Sequence, residues 1–317
     1  MLTVFGSTLL SVTSRASRLP MGADIVLADN FVLKAGGRGA TQALAAHLAG
    51  AKVRLASAVG MDAFGDVALV TITEKELDLS HVHRIPVPTG LCMTLCDDDG
   101  QMQRIVSRGA SGAMKIDDIP DTWLDRWTTL LVQGETDEGT TMRAIDKVLG
   151  AEGKCVLHLS PLVPISETIL DQVDYLVLNE MEAIELASSF AMRTDHPRVI
   201  AYDIAARRQG PVLIITPHLD LYIGLGTNVE CIPHPNIPVV DMLGADDALV
   251  GVFAAGVSMG APLADVVHRA VAAAALCASR PGLQDSLPSN EDIDKVAQNW
   301  PEEAMPERPT LRRKPVF

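Results

Sequence analysis

The chain has 317 residues, 48% of them hydrophobic, and a formal net charge of −14. This length and apolar share support one large core, or one core with a small appendage, while the acidic balance disfavours sequence-independent binding to nucleic acid or to an anionic membrane. An anionic ligand therefore needs a local site made from backbone N–H groups, a few Arg or Lys, or Mg²⁺.

No run of eighteen apolar residues occurs, so no membrane span is expected. The opening M-L-T-V-F-G-S-T-L-L lacks the basic region of a signal peptide. Cys92, Cys96, Cys155, Cys231 and Cys277 are an odd number without C-x-x-C spacing, which suits reduced thiols in a cytoplasm. Cys92 and Cys96 share one face of an expected strand, and a structural role is read for them.

Residues 2–5 form a short apolar strand ending at Gly6-Ser7, and strand-like pieces follow at 25–27 and 31–33, a small β excursion from the main body. In A-G-G-R-G-A-T-Q-A-L-A-A-H-L-A-G-A, residues 35–51, three glycines precede a small-residue helix over 40–48. Such a turn serves either a ligand's close approach or helix packing. It has neither the dinucleotide fingerprint nor Walker A spacing. A strand over 53–59 and a helix to about 76 follow. Residues 89–96 and 103–107 then read as a hairpin about the acidic turn 97–100, a solvated tip and not a metal site. From 130 the pattern alternates regularly: strands 130–133, 155–159, 175–178 and 212–216, with helices 140–149, 166–170, 180–188 and about 203–208. Alternation of this kind predicts a parallel sheet covered on both faces, with ligands at the carboxyl ends of the strands. Gly134-Glu135, Asn179-Glu180 and Thr216 fall at such ends. An alanine-rich helix is expected over 264–279, and the proline-rich, charged tail 300–317 is set apart from a single domain over 1–299.

The stretch that carries chemistry is V-V-D-M-L-G-A-D-D-A-L-V-G, residues 239–251: an extended end, a turn at Gly244 and an apolar helix from about 248. Unpaired N–H groups over Gly244, Ala245, Asp246 and Asp247 offer an anion cradle at a helix N-terminus. Asp247 stands beside it as a carboxylate able to take a proton from a hydroxyl. The same residues also fit two acids that simply cap a helix.

Six segments in register resemble the ribokinase-like (PfkB) family of carbohydrate kinases, over nearly the whole chain from Val4 to about Pro288. A-G-G-R-G-A-T-Q-A is similar to the family's G-G-K-G-A-N-x-A, and V-G-M-D-A-F-G-D to its V-G-x-D-x-F-G-D. Asn179-Glu180-Met181-Glu182 resembles N-x-x-E, and Thr216 stands where the family has T-x-G. D-M-L-G-A-D-D resembles D-T-x-G-A-G-D, and G-L-Q-D-S-L-P the late G-A-x-x-S-x-P. The resemblance implies an α/β, ribokinase-like fold: a central, mostly parallel sheet with helices on both faces and a small β lid from about 9–35 and 89–107. It implies transfer of the ATP γ-phosphoryl group to a sugar hydroxyl, with Asp247 as base and the backbone of Gly244, Ala245 and Asp246 as anion hole. Glu182 with Asn179 would place Mg²⁺, Thr216 and His218 would neighbour the nucleotide, and Gly37, Arg38, Thr41 and Glu135 would face the sugar. A monovalent cation such as K⁺ would map to Asp241 and Ser286, and the lid would pair two subunits in a homodimer.

Four positions depart from that pattern within the site. Ser11 stands where the family places a sugar-gripping aspartate, and Thr41 replaces an asparagine, so the acceptor is not held as ribose is. Asp246 replaces the last glycine of G-A-G-D, bringing a carboxylate to the cradle. His218, in place of the glycine of T-x-G, makes the nucleotide pocket bulkier. Two functions follow: a kinase for a sugar or sugar-like alcohol other than ribose, or a degenerate kinase-fold protein that binds a small molecule or nucleotide with little turnover.

Overall fold

The computed structural model describes residues 1–28, 30–99 and 101–299; the tail 300–317 and the tip residue Gly100 lie outside them. Strand β1 (Leu2–Phe5) is followed by β2 (Leu9–Arg15), β3 (Asn30–Gly36), helix α1 (Arg38–Leu48), β4 (Val53–Gly60), α2 (Ala63–Glu74), β5 (Val82–Ile85), β6 (Gly90–Cys96) and β7 (Met102–Ser107). The second half runs β8 (Thr129–Gln133), α3 (Glu138–Gly150), β9 (Lys154–His158), α4 (Glu167–Gln172), β10 (Tyr175–Asn179), α5 (Glu180–Ser189), α6 (Pro197–Ala205), β11 (Val212–Ile215), β12 (Leu221–Leu225), β13 (Asn228–Ile232), α7 (Ala245–Met259), α8 (Leu263–Ala278) and α9 (Asn290–Gln298).

Among the described residues the strands form two sheets. The larger has the order β13-β12-β11-β10-β9-β8-β1-β4-β5, parallel from β11 to β5, with β12 and β13 added antiparallel. Its central strands are mostly apolar because both faces are covered. Val4, Leu131, Val156, Val177 and Leu213 face α1, α7 and α8. Their neighbours Phe5, Leu130, Leu157, Leu178 and Ile214 face α3, α5 and α6, the period of two that a pleated strand imposes. The smaller sheet has the order β3-β2-β6-β7. It exposes Phe31 and Ile105, at 64% and 62% of their surface, on its outer side.

Several boundaries differ from expectation, each for a local reason. The pieces at 25–27 and 237–240 form no strand; Ile25 and Leu27 stand almost fully exposed with nothing to pack on. The helix expected at 203–208 lies at Pro197–Ala205, where Pro197 opens the first turn and the His196 ring accepts from the Arg198 N–H. The site helix α7 starts at Ala245 and not near 248, because Gly244 takes the left-handed conformation, φ 81°, as its N-cap. Strands β5, β12 and β13 have no counterpart in the sequence reading. Gly226, at φ 58°, makes the two-residue turn between the last two. All five cysteines are free thiols, and among the described residues no helix is long and apolar enough to cross a membrane.

Helices α1 and α7 pack at backbone contact through Gly251. A Cβ at that position would lie 2.4 Å from the Gln42 carbonyl oxygen and 2.7 Å from the Ala45 Cβ. Gly251→Val is expected to cost about 2 to 3 kcal/mol by forcing the helices apart, read as a lower urea midpoint. An unchanged midpoint would mean that the helices separate freely.

Candidate active site

The carboxyl ends of β1, β8, β9 and β10 open at one edge of the large sheet, and the small sheet stands over that edge. Between them lies a cavity of about 270 Å³. The small sheet contributes side chains two residues apart on each strand: Leu9 and Ser11, Cys92 and Thr94, Arg104 and Val106. Strand ends and following turns contribute Glu135, Ser160, Pro161 and Glu182; Gly37, Arg38 and Thr41 come from the start of α1; Gly244, Asp246 and Asp247 come from the start of α7.

The glycine turn before α1 is resolved as a packing device as well as a wall. Gly39 lies on Gly6, where a Cβ would sit 2.5 Å from the Gly6 carbonyl carbon. The Ala40 N–H donates to Ser7 O at 2.9 Å. This contact seats the N-terminus of α1 on the end of β1. A second clamp explains the V-G-M-D-A-F-G-D segment: the Asp62 carboxylate caps α2 through the Gly65 N–H and also accepts from the Thr89 N–H and hydroxyl, at 2.8 and 2.6 Å. These bonds hold the Asp62 carboxyl below its ordinary value, the Thr89 hydroxyl contributing most. Thr89 immediately precedes β6, so Asp62 ties the small sheet to the large one.

Arg38 is the charge centre of the cavity. Its Nη1 donates to Asp247 Oδ1 at 3.3 Å, its Nε lies 3.8 Å from Glu135 Oε1, and its backbone N–H donates to Glu135 Oε2 at 3.0 Å. The Ser7 hydroxyl donates to the same Glu135 oxygen. Burial works against the Arg38 charge, but Asp247, then Glu135, Glu182 and Asp246, outweigh it and raise the guanidinium. Asp247 Oδ1 also accepts from Gln42 Nε2 at 2.8 Å, whereas Oδ2 has no hydrogen-bond partner among the described residues. The N-cap of α7 is Gly244, and Asp246 and Asp247 lie in the first turn of the helix.

Asp246 is partly exposed and faces the same cavity. Burial is the largest influence on its carboxyl and raises it; the Asp247 charge adds to the rise, while Arg38 and Arg104 oppose it. Glu182 is likewise raised, by burial first, with Arg38 opposing. The cavity thus gathers four carboxylates, of Glu135, Glu182, Asp246 and Asp247, against two guanidiniums, of Arg38 and Arg104.

The structure brings Ser11, Gly37, Arg38, Thr41, Glu135, Glu182, Gly244, Asp246 and Asp247 to this one cavity. Others stand apart from it. Asn179 caps α5: its side chain accepts from the Glu182 N–H while Glu182 Oε2 accepts from the Asn179 N–H, both at 2.9 Å. Thr216 accepts from the Asp220 N–H at 3.1 Å within a turn, and His218 is exposed. Asp241 accepts from the N–H groups of Leu243 and Gly282, at 3.0 and 3.3 Å, and Ser286 donates to Leu283 O at 2.9 Å; both brace the loops around Gly244. Ala245 is buried beneath the turn. The sequence reading missed Gln42, Gln133 and His158, which sit behind Asp247, and Cys92, Thr94 and Arg104, whose period-two spacing in the expected hairpin was the available signal. Among the described residues no group of three or more His, Cys, Asp or Glu forms a ready metal cage.

The chain belongs to the pfkB family of carbohydrate kinases, whose model matches residues 1–290. ATP-dependent phosphoryl transfer, with a divalent cation, is typical of that family. Over 295 residues the chain is 28% identical to the ribokinase of Lactococcus lactis subsp. lactis, covering 92% of this chain and 94% of that one. It is 24% identical to the deoxyribokinase of Salmonella typhimurium over 300 residues, covering 92% and 97%. Among solved structures it is similar to the ribokinase of Thermotoga maritima, with a TM-score of 0.83 at 24% identity over 94% of this chain and 99% of that one. The fold is the ribokinase-like α/β fold.

A carboxyl raised by folding favours the folded state below its ordinary value and loses that contribution as pH rises through the folded value. Asp246→Asn is therefore expected to be more stable than wild type at pH 7.5, with the advantage vanishing toward pH 3, where both side chains are neutral. Denaturant midpoints at the two pH values check this. Loss of stability at pH 7.5 would show that the Asp246 charge is a net favourable partner of the two guanidiniums.

Proposed function

We propose that the protein transfers the γ-phosphoryl group of ATP to a hydroxyl of a sugar or sugar-like small molecule bound in the cavity under the small sheet. The observation that carries this reading is Asp247, held through Oδ1 by Arg38 and Gln42 with Oδ2 free beside a helix N-terminus. The acceptor hydroxyl donates to Oδ2 and gives up its proton there as its oxygen attacks phosphorus. The backbone of Gly244, Ala245 and Asp246 receives the charge on the phosphoryl oxygens, and ADP leaves. The acceptor lies against Gly37, Arg38, Thr41 and Glu135, with Ser11 of the small sheet above it. A neutral hydroxyl at position 11 offers one oxygen and no charge, where a carboxylate offers two charged oxygens to a pair of sugar hydroxyls, which supports an acceptor other than ribose.

The hard oxygens of Glu182 and Asp246, both raised by burial, fit a divalent cation. Bound Mg²⁺ would offset the negative charge shared by ATP and the cavity; Asn179 acts on it by fixing Glu182. Thr216 and His218 are assigned to the nucleotide side, and Asp241 with Ser286 to a monovalent cation such as K⁺. The exposed Phe31 and Ile105 face of the small sheet supports a homodimer through that sheet. The free thiols support a cytoplasmic location.

A second reading is favoured by one residue. Asp246 puts a carboxylate at the phosphate cradle, and like charges 4 Å apart at an effective dielectric near 20 repel by about 4 kcal/mol, roughly a thousandfold in rate. On this reading the protein binds a small molecule or nucleotide with little turnover.

Calorimetry with ATP, with and without Mg²⁺, tests the kinase reading at its first step, and turnover with an acceptor then separates it from a nucleotide-binding protein. Micromolar binding that requires Mg²⁺ supports the kinase, and no binding up to millimolar ATP overturns it. With an acceptor in hand, Asp247→Asn is expected to lower kcat by about 10² to 10⁴-fold and leave ATP affinity within a few-fold. Equal turnover in that variant would remove Asp247 as the base. If the Asp246 carboxylate opposes transfer, Asp246→Gly raises kcat; no change would mean that the side chain points elsewhere, and a lower kcat with a weaker response to Mg²⁺ would mean that it holds the cation.

A further inference from the structure

Behind Asp247 lies a chain of three wholly buried polar side chains. Gln133 Nε2 lies 2.8 Å from Gln42 Oε1; Gln42 Nε2 lies 2.8 Å from Asp247 Oδ1 and 2.8 Å from His158 Nδ1. Gln42 and His158 are fully buried and Gln133 is 1% exposed. Gln133 and His158 are direct neighbours across β8 and β9. An apolar core at these positions would be cheaper to fold, because a buried polar group must have its partners.

The direction of every bond in this chain follows from the carboxylate at its end. An ionised Asp247 only accepts, so Gln42 presents its NH₂ group and not its carbonyl. That NH₂ has two hydrogens: one goes to Asp247 and the other to His158 Nδ1. Gln42 Oε1 is then the acceptor for Gln133. His158 Nδ1 therefore carries no proton, and the neutral ring bears its hydrogen on Nε2. Its surroundings agree: burial first, then the Arg38 charge, push the imidazolium far below its usual range. A protonated Nδ1 would oppose the Gln42 hydrogen and turn the amide away from Asp247.

We propose that Gln42 is the positioning residue of Asp247, and that neutral His158 together with Gln133 locks the Gln42 amide in the one orientation that serves it. The lock anchors Oδ1 on a fixed donor and turns Oδ2 toward the cavity. Arg38 alone does not fix that rotation: its bond to Oδ1 is 3.3 Å, its guanidinium is shared with Glu135, and it borders the space that the acceptor and phosphate enter. Gln42 donates from inside the core, where nothing competes for it. The catalytic consequence rests on the kinase reading above; the hydrogen-bond chain itself does not.

Two measurements test this. The first needs no turnover: the ¹⁵N spectrum of His158 in the wild-type protein at pH 7 is expected to show a bare Nδ1 and a protonated Nε2. A protonated Nδ1, or an imidazolium, overturns the lock. The second compares steady-state kinetics of wild type with Gln42→Leu, His158→Leu and His158→Asn. Gln42→Leu is expected to lower kcat by about 10- to 100-fold, with KM for ATP and acceptor within about threefold. His158→Leu is expected to move kcat in the same sense. His158→Asn should restore it, since Asn Oδ1 stands the same number of bonds from Cα as His Nδ1 and accepts the same hydrogen. A folded Gln42→Leu enzyme with wild-type kcat overturns the proposal. Should that variant not fold, equal kcat in His158→Leu and His158→Asn overturns it instead. A wild type inactive with every acceptor removes the kinase reading, and the His158 spectrum then decides the lock by itself.

Discussion

The site depends on two helix N-termini brought together at backbone contact. Helix α7 can approach α1 this closely because position 251 has no side chain, and the approach puts Gln42 and Arg38 within reach of Asp247. The charges at the two ends are not equivalent. An acid in the first turn of α7 is favoured by the helix dipole, whereas Arg38 at the first position of α1 is opposed by it. Arg38 is held there by Asp247 and Glu135, so each side of the contact supplies what the other lacks. Removing either partner leaves a buried charge without compensation, which is far costlier than the pair is stabilising.

The remaining parts deliver elements to this meeting point. Parallel strands connected by helices put all their carboxyl ends at one edge, which brings Ser7, Glu135, His158 and Asn179 together from distant parts of the chain. The Gly39 contact on Gly6 fixes where α1 begins, and the Asp62 clamp on Thr89 fixes where the small sheet leaves the large one. The roof is therefore tethered by the Asp62 carboxylate near β6 and by the Lys34–Asp285 ion pair at β3, while its inner face closes the cavity with Leu9, Ser11, Cys92, Thr94, Arg104 and Val106.

The alternating half of the chain was legible because buried parallel strands are short apolar runs and their helices are amphipathic. The short strands at the two margins of the sheet, β5 on one side and β12 with β13 on the other, were not, since a mixed, half-buried run such as Val82–Ile85 carries neither pattern. Among site residues, Glu135 and Asp247 could be named from chemistry, as carboxylates at a strand end and a helix start where a core has no use for them, whereas Glu182 came only from the resemblance of its segment to N-x-x-E. Gln42 and His158 could not. Each reads as an ordinary residue in a helix or strand, and their meaning arises only when α1, β8 and β9 come within hydrogen-bond distance. Asn179 shows the reverse case. Its motif pointed to a ligand, while the structure also gives it a plain local task, reciprocal capping with Glu182.

Ser11 and Asp246 acquire a joint meaning once their places in the cavity are known. Relative to the family pattern, a carboxylate is absent from the roof and a carboxylate is present at the phosphate cradle, so one negative charge has in effect crossed the cavity. At the roof the change removes a double acceptor and leaves a hydroxyl that grips less and discriminates less among hydroxyl arrangements. At the cradle it adds an oxygen ligand where ATP brings several negative charges. Four carboxylates facing two guanidiniums already favour a divalent cation over bare anion. Under the proposed function, a weaker grip at the acceptor end would coincide with a tighter coupling between nucleotide and cation at the other. On that reading, such an enzyme would admit acceptors on shape more than on a carboxylate grip, and its transfer step would depend on whether a cation is bound.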